Sequence, residues 1–151
     1  MDKVKTIELH KCLDILSGSI DALNDSIQRC TIINLNSIES WDDKNDLESL
    51  SARFARTSNI YIQKLLKFVI LALKEDDKYV IDRINKAEKI GLITSSEDLI
   101  EIRDLRNEIA HEYRPDDIEV LYKDVLKYAS VLIENIEITK KFILANPTIF
   151  I

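Results

Sequence analysis

The sequence predicts an all-α protein, an antiparallel bundle of four to five helices forming one domain over residues 1–151. Three observations carry this. Gly and Pro number only two each, whereas sandwiches, barrels and Rossmann domains need far more turn punctuation. Apolar residues recur in steps of three and four, the spacing of a helix face. Hydrophobic residues make up 46% and charged residues 32%, enough to build a soluble core without a disulfide or metal staple at this length.

The first helix is expected over about 3–30, from Leu16, Ile20, Leu23, Ile27 and Cys30, which lie 4, 3, 4 and 3 apart. Residues 31–45 are rich in Asn, Ser and Asp and are expected to connect, with a short turn around Trp41 capping the bundle end. A second long helix is expected over about 46–75. Leu47, Phe54, Ile62, Leu65 and Val69 share one side, while Arg53, Arg56, Lys64 and Lys67 share the other. A third covers about 77–90 and ends at Gly91 in a C-cap position. Thr94/Glu97 and Ser95/Asp98 form two overlapping capping boxes that open a fourth helix over about 97–113. Pro115 disfavours helical geometry at Arg114 and is expected to stop it there. The fifth helix is expected over about 117–145, with Leu121, Val125, Tyr128, Leu132 and Ile136 on one face.

Charge and cysteine content narrow the function classes. The net charge of −6 and pI near 5.0 exclude a uniformly basic nucleic-acid binder, so any RNA contact must come from a local patch. Cys12 and Cys30 lie 18 residues apart in one helix, roughly 27 Å, so they cannot bridge and read as packing thiols. There is no CxxC and no His/Cys cluster, so neither metal nor cofactor is expected. His10 stands alone and reads as a surface or packing residue. The first ten residues lack a signal peptide's apolar stretch, and no apolar run reaches about 18 residues. A cytoplasmic protein without membrane contact is expected.

The chemistry concentrates in Arg106-Asn107-Glu108-Ile109-Ala110-His111-Glu112-Tyr113. On the expected helix, Ile102, Leu105 and Ile109 face the core, while Arg103, Asp104, Asn107 and His111 lie largely away from it. Asn107 and His111 are an i,i+4 pair, so the amide could orient the imidazole. Arg106 and Tyr113 are seven residues apart and share a rim stripe. Ala110 between them is small enough to admit another surface. An arginine followed five residues later by histidine is common by chance; the added Asn and Tyr narrow the pattern.

This octapeptide resembles the Arg-x4-His-x-Tyr signature of HEPN domains, and is most similar to the HepT toxins of HEPN/MNT toxin–antitoxin modules. Residues 50–56 (LSARFAR) and 62–66 (IQKLL) also resemble the second helix of that group, and the resemblance covers about residues 46–130. It implies a metal-independent RNase that works as a symmetric homodimer, with two Arg/His motifs meeting in one cleft. Position by position, Arg106 and His111 would be catalytic, Asn107 would be the supporting polar residue, and Tyr113 would be the tyrosine to which an MNT-type nucleotidyltransferase antitoxin transfers AMP.

Elementary chemistry agrees with that implication. RNA carries its own nucleophile, the 2′-OH. Cleavage then needs a proton acceptor, a proton donor and a cation for the phosphorane oxygens. Histidine can serve as acid or base near neutrality, and arginine can bind two phosphate oxygens at once. One protomer offers a single motif histidine; a dimer supplies two.

One feature of the sequence opposes RNA. Seven carboxylates lie between positions 98 and 117, answered by Arg103, Arg106 and Arg114, and such a field repels phosphate. The stripe Arg53, Arg56, Lys64 and Lys67 would offset it if it lined the cleft as an RNA-contacting surface; otherwise it is a solvated face or pairs with those carboxylates. Three readings therefore stand: an RNA-cleaving toxin, a non-catalytic subunit holding a nucleotide or substrate for a separate nucleotidyltransferase, and a helical adaptor without chemistry.

Overall fold

The computed structural model describes residues 1–75, 78–111 and 118–150. Among these the protein is all-helical: α1 (Lys3–Thr31), α2 (Trp41–Asn59), a π-helical segment (Ile60–Leu65), α3 (Leu66–Ala72), α4 (Val80–Ile90), α5 (Ser96–Ala110), α6 (Ile118–Ala145) and the short α7 (Pro147–Phe150). No helix among the described residues is long and apolar enough to cross a membrane.

Pairings across α1 and α2 fix their direction. The Cys30 thiol donates to the Asp46 carbonyl at 3.3 Å, Arg53 Nη1 donates to Ser26 Oγ at 2.8 Å, and Ser19 and Thr57 share a hydrogen bond of 2.6 Å. Positions fall along α1 as they rise along α2, so the two helices are antiparallel. One apolar cluster takes residues from every helix: Leu16 and Leu23 of α1, Phe54 of α2, Ile84 of α4, Leu99 of α5, Leu132 of α6 and Phe150 of α7 all sit within it.

The element boundaries differ from expectation in instructive places. α2 begins five residues earlier than the expected start at 46, because Ser40 caps it: Ser40 Oγ accepts from the Asp43 N–H at 3.3 Å. Asp42 and Asp43 then complement the positive end of the helix dipole. Trp41 consequently sits in the first turn of α2 at 75% exposure; it does not cap the bundle end. Gly91 does close α4 in the left-handed region, at φ 95°, where a side chain would be strained. Of the two capping boxes, Ser95 takes the role, accepting from the Asp98 N–H at 3.3 Å. Thr94, though exposed, bonds to α6 instead, its N–H donating to Asn135 Oδ1 at 2.9 Å.

The second long helix is continuous but changes its winding. Between α2 and α3 it widens into the π segment. Such insertions shift the register of one helical turn and are frequent at functional sites. The buried residues Ile60, Tyr61 and Ile62 run consecutively there, which a regular helix face does not do. Two buried groups hold the segment. Arg83 of α4, only 5% exposed, donates to the Ile62 carbonyl at 2.8 Å and to Gln63 Oε1 at 3.3 Å. The Tyr61 hydroxyl lies 2.7 Å from Thr139 Oγ1 and 3.3 Å from the Asn135 carbonyl; burial pushes its pKa up, with the Thr139 bond opposing. Thr139 Oγ1 in turn donates to the Leu92 carbonyl at 2.8 Å. This polar network ties the π segment and the α4–α5 connection to α6, inside an otherwise apolar core.

Candidate functional site

A groove of about 940 Å³ opens above the π segment. Ile60 and Ile62 are its floor, Arg56 stands at the end of α2, and Arg103, Arg106 and Asn107 of α5 form the facing wall. Ile15 of α1, half exposed at 52%, and Val80 of α4 close its ends. Its charge is one-sided. Arg56, Lys64, Arg103 and Arg106 line it, together with the amides of Asn59, Gln63 and Asn107, and among the described residues no carboxylate lines it.

The motif residues divide across the groove's edge. Arg106 and Asn107 are half-buried in the wall, and Arg106 Nη1 donates to Asn107 Oδ1 at 3.2 Å. The amide thus orients the guanidinium rather than the imidazole expected from the i,i+4 spacing. His111 is not a helical residue. α5 stops at Ala110, three residues short of the expected end at 113, and His111 is its C-cap with extended backbone at φ −100°, ψ 154°. Its backbone N–H donates to the Asn107 and Glu108 carbonyls, both at 3.2 Å. α5 has no basic residue in its last turn to complement the carbonyl end of the dipole, and Glu108 stands there instead. The helix therefore ends before the proline rule would stop it. The His111 side chain is exposed and lies beyond the residues lining the groove. Tyr113, Arg114 and Pro115 lie outside the described residues.

The basic stripe of the second long helix also divides. Arg56 and Lys64 line the groove with Arg106. Arg53 does not: it reaches α1, donating to the Ala22 carbonyl at 3.1 Å and to Asp25 Oδ2 at 3.4 Å. Arg29 first, and Arg53 after it, hold the Asp25 carboxyl below its ordinary range. The carboxylate partner of Arg53 is thus in α1, not in α5. Lys67 lines a second groove of about 600 Å³, which shares Gln63 and Lys64 with the first.

Several residues that shape the site have no signal as site residues in the sequence. Arg83, Asn135 and Thr139 are buried polar groups on helices whose faces read as ordinary amphipathic surface. The run of three buried residues at Ile60–Tyr61–Ile62 is the one pattern that could have pointed to the π segment. Cys12 is half-buried, its thiol pushed up by burial while the Lys64 ammonium opposes that shift; Cys30 is buried, its thiol pushed up to about 11 by burial and then by Asp46. His10 is exposed. Among the described residues no three His, Cys, Asp or Glu side chains are grouped to hold a metal ion. No family model, no curated protein and no solved structure matches this chain.

Proposed function

We propose that this protein is a HEPN-type, metal-independent endoribonuclease, a HepT-like toxin that acts as a homodimer. The observation that carries this reading is the groove in which Arg106, oriented by Asn107, faces Arg56 and Lys64 with no carboxylate among its described lining residues. A phosphodiester placed there would meet cations that stabilise the extra negative charge of a pentacoordinate phosphorane. The RNA 2′-OH attacks the adjacent phosphorus, a base takes its proton, and an acid protonates the departing 5′ oxygen, leaving a 2′,3′-cyclic phosphate and a 5′-OH. His111 of each protomer supplies one of those proton transfers. Because His111 projects beyond the groove of its own chain, the second copy brings its motif to the same cleft across a two-fold axis near α5. Ala110, small and exposed at the end of α5, leaves room for that approach. An MNT-type nucleotidyltransferase antitoxin would silence the enzyme by adding AMP to Tyr113, which adds bulk and negative charge to the motif.

The position of His111 outside the groove lining also favours a second reading, a non-catalytic subunit that holds RNA or a nucleotide for a separate nucleotidyltransferase. One experiment separates the two: incubation of purified protein with RNA in EDTA, beside Arg106→Ala and His111→Ala. Cleavage that leaves cyclic phosphate ends and is lost in both variants supports the nuclease. Binding without cleavage supports the second reading.

A further inference from the structure

We infer that the substrate is a single strand whose path continues from the first groove into the second, along the axis of α2, the π segment and α3. The inference rests on the RNA reading above and extends it to a strand path and a substrate class. The two grooves meet at Gln63 and Lys64, which line both. Beyond that junction the second groove offers Lys67, Lys74 and Lys5 as cations, with Phe68 and Leu71 as apolar surface. Among the described residues its carboxylates are Asp2 and Glu8, and Asp2 is already engaged as the cap of α1, accepting from the Lys5 N–H at 2.9 Å.

The geometry favours a strand rather than a compact ligand. From Arg56 to Lys74 the chain advances 18 residues, about 27 Å of helix. A line of Arg56, Lys64, Lys67 and Lys74 over that length matches several consecutive phosphates of an extended backbone. Leu71, at 51% exposure, and Phe68 beside it give bases an apolar surface to lie on, as sites for single strands do. A duplex would keep its bases stacked inside and leave that surface unused.

The chain conformation places the far end of the line deliberately. Lys74 ends α3 in the left-handed region at φ 59°, alone among the described non-glycine residues. The Glu75 N–H reaches back to the Ile70 carbonyl at 3.1 Å and the Lys74 N–H to Leu71 at 3.0 Å. Glycine is the usual residue at such a position; here a lysine occupies it and lines the groove. At the junction, buried Arg83 holds Gln63 and the Ile62 carbonyl, so the place where the two grooves meet is anchored to α4.

The test measures binding of a trinucleotide and a twelve-nucleotide single strand, both of uncleavable 2′-O-methyl RNA, over a salt series. The parent and a Lys67→Ala/Lys74→Ala double variant are compared. Single-strand contacts each contribute about 0.7 to the slope of log affinity against log salt. The double variant should therefore lose about 1.4 from the slope for the long strand and little for the trinucleotide. A twelve-base-pair duplex should bind more weakly than the single strand. An unchanged slope for the long strand overturns the continued path, and equal duplex binding overturns the single-strand preference. Cleavage lost in Arg106→Ala would in either case still uphold the first groove. A parent that binds none of the three overturns both readings together. Lys67 and Lys74 are exposed, so the double variant should fold, and its far-UV circular dichroism and urea midpoint check that it does.

Discussion

The two halves of α5 line two different depressions. In its first turns Glu97, Asp98 and Glu101 surround a small depression beside Tyr128 of α6. In its second half Arg103, Arg106 and Asn107 form the wall of the large groove. At 100° per residue, Glu97, Glu101, Asp104 and Glu108 cluster about 140° around the helix from Arg103, Arg106 and Asn107. Of these carboxylates Asp104 stays near the wall, 3.8 Å from Arg103 Nη1, whereas Glu97, Glu101 and Glu108 are turned away from it. The net charge of −6 describes the molecule and not the groove, where local charge decides what binds. The acidic half also has a structural role: Glu97 and Asp98 lie in the first turn, where the helix dipole favours them.

The largest expected effect sharpens that contrast. Under the nuclease reading, Arg106→Ala should lower the cleavage rate about 10²–10³-fold, as losing a donor to transition-state charge does. His111→Ala should lower it about 10²–10⁴-fold, as losing a general acid or base does. Glu101→Gln, on the other side of the same helix, should leave the rate within about twofold of the parent, because no groove contact is touched. If Glu101→Gln changes the rate as much as Arg106→Ala, the two halves do not act separately.

Next in size is a change that affects both halves alike. Asn135 is fully buried; its amide oxygen accepts from Thr94 just before α5, and its amide nitrogen donates to the Val131 carbonyl at 2.9 Å. Asn135→Ala removes the acceptor of the Thr94 N–H and should cost about 1–3 kcal/mol in urea unfolding. Tyr61→Phe removes only the hydroxyl shared with Thr139, whose own bond to Leu92 survives, and should cost about 0.5–1.5 kcal/mol. An Asn135→Ala protein as stable as the parent would show that the α5 start is not anchored by this network.

A smaller effect concerns the cations singly. Arg56→Ala should lower the salt slope for single-stranded RNA by about 0.7, the share of one phosphate contact. Arg53→Ala, three residues earlier, should not change it, because that guanidinium is turned to α1. Equal slopes for the two variants would mean that the stripe acts as a diffuse field rather than through groove contacts.

Those paired residues show how far the sequence could be read. The helical class, the face of α1 and the stop at Gly91 follow from local periodicity and capping, and all are legible in the residue order. Arg56 and Arg53 look alike in the sequence; only the approach of α1, through Ala22 and Ser26, separates them. The π segment lies still further from view. Its extra width depends on buried Arg83 and Tyr61, partners 20 or more residues from the groups they bond. α5 ends at Ala110, short of the proline-set limit, because Pro115 bounds a helix but does not require it to extend that far. As a result Arg106 and Asn107 keep the wall positions that the wheel suggests, whereas His111 leaves the helix.

The smallest effect tests whether the two halves of α5 are coupled at all. The Glu88 carboxylate at the end of α4 accepts from the Ser96 N–H, and that bond holds its pKa below the ordinary value of 4.5. A depressed carboxyl stabilises the fold above its unfolded pKa, and the contribution is lost as pH falls through the lower folded value. Amide protection factors in the first turn of α5 should therefore fall on acidification below about pH 4.5, and Glu88→Gln should lower them already at pH 7. Glu88 is exposed, so the change should stay local, measured at Ser96 to Asp98 by exchange NMR. The groove wall starts at Arg103, almost two turns further on. RNA affinity at pH 7 should accordingly be the same in Glu88→Gln as in the parent. A shift in affinity would show that fraying at the first turn is transmitted to Arg106, and the two halves would then belong to one coupled helix.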